Sequence, residues 1–197
     1  GVAALIQGGQ TMNPSTEQIL AAVEALPTDK VIVLPNNKNI ILAAKQAAEL
    51  SAKQVRVVPT RSMPQGIAAL LNHQRDGGLA ETAEAMAAAL QEVKTGELTR
   101  ASRAAVMDHI QVNEGQVIAL LDDKLVCACD DLSEATLSLL KQAEAEAAEL
   151  ITLYYGAGLS HSEASTIADR VRETYSAQEL QLVHGGQPHY DLIVSVE

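Results

Sequence analysis

The sequence predicts an α/β fold: a parallel-sheet α/β lobe over residues 1–106, then a smaller α+β lobe with a mixed sheet over residues 107–197. Three observations predict it. Three times in the first 66 residues an apolar, β-prone run empties into a short polar loop that opens a helix, the signature of βαβ units and of a parallel sheet. Beyond Lys94-Thr-Gly-Glu97 the pattern changes to short strands, with two runs flanking a tight Asp122-Asp-Lys124 turn. Helical and strand patterns then alternate to the end of the chain.

Taken in order, the first strand is expected over Val2-Ala-Ala-Leu-Ile6, feeding the loop Gly8-Gly-Gln-Thr-Met-Asn-Pro-Ser-Thr16. A helix over Ser15–Leu26 follows. Ile19, Leu20, Val23 and Leu26 share one face, and Ser15 with Gln18 has capping-box spacing. The second strand, Val31-Ile-Val-Leu34, empties into Pro35-Asn-Asn-Lys-Asn39, and its helix is expected to open at Asn37 or Lys38 and run to Ala52. The third, Val55-Arg-Val-Val58, empties into Pro59-Thr-Arg-Ser-Met-Pro-Gln-Gly66, where Ser62 and Gln65 repeat the capping spacing around Pro64. An Ala-rich helix is expected over Leu79–Val93. The second lobe should hold strands at Leu98–Val106, Val117–Leu121, Leu125–Cys129, Leu150–Tyr155, Glu179–His184 and Asp191–Val196. Its helices should span Leu132–Ala148 and a segment starting at Ser160, where Glu163 completes a capping box.

Composition narrows the function. Net charge is −11, and only 2% of residues are aromatic, with no Phe or Trp. An acidic chain repels a phosphate backbone and lacks stacking platforms for single strands, which argues against nucleic acid and anionic membranes. The same charge discounts Gly-Gly-Gln at Gly8 and Gly185 as a ribosomal motif. No apolar run approaches the ~20 residues that span a bilayer. The chain begins at Gly1 without a signal peptide and reads as a piece of something longer. Its only cysteines, Cys127 and Cys129, lack a second pair to complete a zinc site, so reduced thiols and a cytoplasmic setting are expected. No Gly-x-Ser-x-Gly elbow gathers Ser, His and Asp, and Gly156-Ala-Gly158 lacks the Lys of a phosphate loop.

Binding groups in a parallel sheet collect on loops beyond the carboxyl ends of the strands. Gly9, Gln10, Thr11, Asn13, Asn36, Asn37, Lys38, Thr60 and Arg61 fall there, with two cations beside helix amino termini suited to carboxylate or phosphate. The alternative is turn and cap chemistry alone. In His184-Gly-Gly-Gln-Pro-His-Tyr190, His184 and His189 can titrate or bind metal and Gln187 can bond a ligand, but a plain loop between strands is the favoured reading.

The loops at Gly8–Thr16, Leu34–Asn39 and Pro59–Gly66, with His184–Tyr190 and the closing Ser195-Val-Glu197, resemble the carboxyl-terminal region of FakA/YloV-type proteins. These are the catalytic components of bacterial fatty acid kinase, related to dihydroxyacetone kinases, and the resemblance runs in order along essentially the whole chain. It implies a two-lobed dihydroxyacetone kinase/DegV-like fold, lacking its first βα unit. It also implies a role in docking the fatty-acid-carrying FakB (DegV-type) partner while an amino-terminal domain phosphorylates the acyl carboxylate. No Asp-rich, magnesium-holding loop occurs here. ATP and magnesium are therefore expected in the absent kinase domain, no cofactor in this fragment, and no catalysis by it alone. A homodimer is compatible with this reading. The competing hypothesis is a small-ligand-binding domain for a phosphate- or carboxylate-bearing molecule.

Overall fold

The computed structural model describes residues 2–8 and 13–197. The chain divides into two compact units, Gly1–Glu92 and Val93–Glu197. The division falls before the one expected at residue 106, because the strand that follows it belongs wholly to the second sheet.

In the first unit, β1 (Lys30–Val33) and β2 (Gln54–Val57) pair in parallel with Val31 opposite Val55. Helix α1 (Thr16–Glu24) starts where the sequence places it: Ser15 Oγ accepts the Gln18 N–H while Gln18 Oε1 accepts the Ser15 N–H. Its carboxyl end is held by Lys53, whose ammonium donates to the carbonyls of Val23, Glu24 and Leu26. Helix α2 (Ile41–Leu50) lays Ile40, Ala44 and Ala47 against Ile19 and Val23 of α1 and Val31 of β1. Fully burying an Ile or Val side chain such as Ile19 or Val23 contributes roughly 1.5–3 kcal/mol, and each alanine methyl less. Helices α3 (Met63–Leu71) and α4 (Leu79–Ala88), the latter ending in a 3₁₀ turn at Ala89–Glu92, close a second cluster of Val58, Ala69, Met86 and Leu90.

Two expectations are corrected here. Val2–Ile6 forms no strand: all five residues are exposed, Leu5 by 82%, and none joins a sheet. A β-prone run becomes a strand only when a neighbour supplies its ladder, and none does so among the described residues. Helix α2 begins at Ile41 rather than Asn37 or Lys38. Asn37 Oδ1 accepts the Asn39 N–H and its carbonyl accepts from Ile40, and this local turn delays the helix.

The second unit is built on a six-stranded mixed sheet in the order β7-β6-β3-β10-β8-β9. Its strands are β3 (Lys94–Arg100), β6 (Val117–Leu121), β7 (Lys124–Cys129), β8 (Leu150–Tyr155), β9 (Glu179–His184) and β10 (Leu192–Val196). Only β8 and β9 run parallel; β10 pairs antiparallel with both β3 and β8. Asp122 and Asp123 both take positive φ (47° and 71°), giving the primed two-residue turn that suits a β6–β7 hairpin. Helices α5 (Leu132–Gln142) and α6 (His161–Thr174) cover one face, over Leu98, Val117, Ile151, Leu153, Leu192 and Val194. Three boundaries move. The strand expected at Leu98–Val106 is β3, starting four residues earlier at Lys94, because alternating polar positions masked a strand that β10 pairs along its length. A separate hairpin, β4 (Ala105–Met107) with β5 (Ile110–Val112), takes the rest. Helix α5 stops at Gln142, short of Ala148, since Glu144 turns left-handed (φ 56°).

Candidate functional site

The first unit brings part of the predicted loop edge together. β1 runs out through Leu34 and Pro35 to Asn36, which adopts a left-handed φ of 54° and is exposed. The Asn36 N–H donates to Thr60 Oγ1 at 2.9 Å, so the loop after β1 is tied to the loop after β2. Thr60 is wholly buried. That corrects its expected role: it cannot meet a ligand directly and instead positions Asn36. The Asn36 amide lies on Gly66 at the start of α3, where a Cβ would stand 2.2 Å from Asn36 Oδ1. Only a glycine permits that approach.

Arg61 is exposed beside this tie, and its N–H donates to Gln65 Oε1 at 2.8 Å. Ser62 caps α3 by accepting the Gln65 N–H at 3.3 Å. Asn37 is half-buried by its turn, while Asn13 and Lys38 are exposed. Gly9, Gln10 and Thr11, with Met12, lie outside the described residues. The edge therefore presents an amide, Asn36, and a guanidinium, Arg61, on a backbone fixed by Thr60 and Gln65. Such an arrangement suits carboxylate or carbonyl oxygens on a partner. Gln65 and Gly66 contribute as well: the Ser62/Gln65 spacing signals the cap, but no local pattern signals the contact of Gly66 with Asn36.

His184 and Gln187 belong to the second unit and form a separate cluster at the carboxyl ends of β8 and β9. The His184 ring lies 4.9 Å from Tyr155, whose hydroxyl is 3.3 Å from His161 Nδ1 at the head of α6. Gly185 and Gly186 donate to the Tyr155 carbonyl, and Gln187 Nε2 donates to the Tyr154 carbonyl at 2.8 Å. Gly156 is pressed against the returning chain: a Cβ there would stand 2.1 Å from the Tyr190 carbonyl oxygen. Gln187 thus anchors the loop by its amide nitrogen, while its Oε1 is buried without a hydrogen-bond partner. Burial foremost, and the nearby Glu97 carboxylate, push the Tyr190 hydroxyl well above the usual phenol range. Tyr155 and His161 were not singled out from the sequence, since no local pattern links positions on different elements.

Cys127 and Cys129 are half-buried on β7 beneath α5, with Cys127 Sγ 3.8 Å from the Ala135 carbonyl. Burial, then the neighbouring Cys127, raises the Cys129 thiol to about 11. Among the described residues no group of three or more His, Cys, Asp or Glu is placed to hold a metal, and no helix is long and apolar enough to cross a membrane.

The fold is that of the DegV and dihydroxyacetone kinase proteins. The structure aligns with a Streptococcus pneumoniae fatty acid kinase (Fak) B3 protein loaded with linoleic acid at a TM-score of 0.63 and 13% identity, covering 93% of this chain and 76% of that one. It aligns with the C. freundii dihydroxyacetone kinase in complex with AMP-PNP and Mg2+ at 0.61 and 16% identity, covering 94% and 42%. The chain belongs to the FakA-like C-terminal family of fatty acid kinase, whose model matches residues 1–197. It is 37% identical over 197 residues to protein YloV of Bacillus subtilis (strain 168), covering all of this chain and 36% of YloV. The chain thus spans about a third of the length of the curated relatives it matches.

Proposed function

We propose that this chain is the carrier-docking module of a bacterial, cytoplasmic fatty acid kinase. On this reading it holds a FakB/DegV-type fatty-acid-binding protein in place while a domain outside this sequence, with ATP and magnesium, phosphorylates the acyl carboxylate. Family membership supports the kinase connection. The observation that carries docking is the braced loop edge, where the Asn36–Thr60 bond and the Asn36–Gly66 contact hold an exposed amide near the exposed Arg61. A surface fixed in advance loses less entropy on binding than a loose one. An acidic chain that offers a guanidinium at a fixed loop edge is suited to a carboxylate-bearing partner face.

The alternative, a small-ligand domain, finds less support. Two cavities, of about 510 and 250 Å³, lie along β2 and α4, and among their lining residues are none of Asn36, Asn37, Lys38, Thr60 and Arg61. Docking is tested by titrating this chain with a fatty-acid-loaded FakB-type protein in calorimetry, with an unrelated acidic protein as control. Saturable one-to-one binding is expected, and its absence would remove the proposal. ATP–magnesium should give no binding heat with this chain alone.

A further inference from the structure

The first unit gathers cations although the chain as a whole is acidic, with 25 Asp and Glu against 14 Lys and Arg. Its cavity of about 510 Å³ is lined by Lys30, Lys53 and Arg56 and by a single carboxylate, Glu81. Glu81 is already engaged, its Oε2 accepting the Gly78 N–H at 3.2 Å. Lys53 is engaged too, since its ammonium donates to the three carbonyls at the end of α1. These two opposite charges offset one another. Lys30 and Arg56 remain. Both are exposed, and among the described residues neither side chain enters an ion pair or a hydrogen bond.

Strand pairing sets the two cations on one face. Ile32 and Val58 pack towards Ala83, Met86 and Ala87 of α4. Arg56 is opposite Ile32 and Lys30 is opposite Gln54, so alternation raises both from that same side of the sheet. Main-chain donors join them. Gln54 and Val58 give their N–H groups to Asp29 and Val33 on the β1 side, so Val55 turns its own N–H the other way, at the cavity it lines. On the facing wall, Gly78 has no side chain with which to cap the first-turn N–H groups of α4.

The geometry points to a binding site for a small phosphomonoester, its phosphate held by Lys30 and Arg56. Charge selects this chemistry: a dianion balances the two uncompensated cations, whereas a monocarboxylate would leave one over. Donor number selects it as well. An ammonium, a forked guanidinium and an outward N–H offer more hydrogen bonds than the two oxygens of a carboxylate take up from one side, and a phosphate turns three oxygens to them. The cavity is larger than a bare phosphate needs, and Ala48 and Leu79 give the organic remainder an apolar wall. In ATP–magnesium the metal offsets the charge of the terminal phosphates, so this site is not expected to take that complex.

The test is calorimetry on the 197-residue chain with phenyl phosphate as the probe and benzoate as its carboxylate counterpart. Low salt keeps the exposed charges unscreened. Saturable one-to-one binding of phenyl phosphate is expected, with benzoate at least about tenfold weaker. Lys30→Ala and Arg56→Ala should each raise the Kd at least about fivefold, and Lys30→Glu with Arg56→Glu should abolish binding. Lys38→Ala with Arg61→Ala, on the loop edge, should leave the Kd unchanged. Circular dichroism checks each fold, which exposed substitutions should preserve. Absence of saturable phenyl phosphate binding overturns the inference. So does binding that the Lys30 and Arg56 variants leave intact, binding lost in the loop-edge variant, or benzoate binding of equal strength. No carrier is present in this assay, so this inference and the docking proposal can fail independently.

Discussion

The Asn36 N–H is bound to the hydroxyl of Thr60, a residue 24 positions away and fully buried, and this one bond joins the two loops that leave the parallel strands. Asn36 in turn rests its amide on Gly66, so both its backbone and its side chain are held from the β2 side. Its left-handed backbone (φ 54°) is the strained element that these contacts retain.

Thr60→Val keeps the shape of residue 60 but removes the acceptor. The Asn36 N–H loses its partner, at an expected cost of about 1–3 kcal/mol in urea unfolding. Thr60→Ser keeps the hydroxyl and should lose less, the difference reflecting the missing methyl group. Equal losses in the two variants would show that the bond itself contributes little.

Lys38→Glu with Arg61→Glu should weaken carrier binding, each affected contact by roughly 1–2 kcal/mol. Both residues are exposed, so melting should change little; surface substitutions usually stay within about 0.5 kcal/mol. Calorimetry with a loaded FakB-type protein reads the affinity. Unchanged affinity in a folded double variant would move docking away from this edge.

Cys129 should resist alkylation near neutral pH, because the thiolate is the reactive form and burial raises this thiol to about 11. Iodoacetamide labelling of the single-cysteine variant Cys127→Ser should accelerate as pH rises from 8 towards 11. Since Cys127 contributes to the shift, the variant should react somewhat faster than Cys129 in the parent chain. The folded value lies above the ordinary 9.0, so the native state holds this proton longer than the unfolded chain. The linked stability is present below pH 9 and is lost as pH rises through about 11. Free-thiol reactivity at pH 7 in the folded protein would contradict this.

Local signals in this chain were legible where the chemistry is local. Ser15/Gln18, Ser62/Gln65 and Ser160/Glu163 set helix starts, because a cap needs only residues three apart. The Asp122-Asp123 pair set a hairpin for the same reason. Family membership was readable too, since the loop motifs stand as contiguous words in the sequence. Partnership between strands was not. Val2–Ile6 has the composition of a strand and no ladder to join among the described residues, whereas Lys94–Arg100 looks half-polar and is paired on both sides. A strand's existence depends on a neighbour distant in sequence, and composition carries no record of that neighbour. The same physics separates the candidate residues. Thr60 and Arg61 are adjacent in one loop and alike as polar candidates, yet the fold buries the first as a brace for Asn36 and leaves the second facing solvent. Sequence determined which polar groups stand in these loops; only the tertiary structure decided which of them are buried and which face solvent, because burial depends on neighbours distant in sequence.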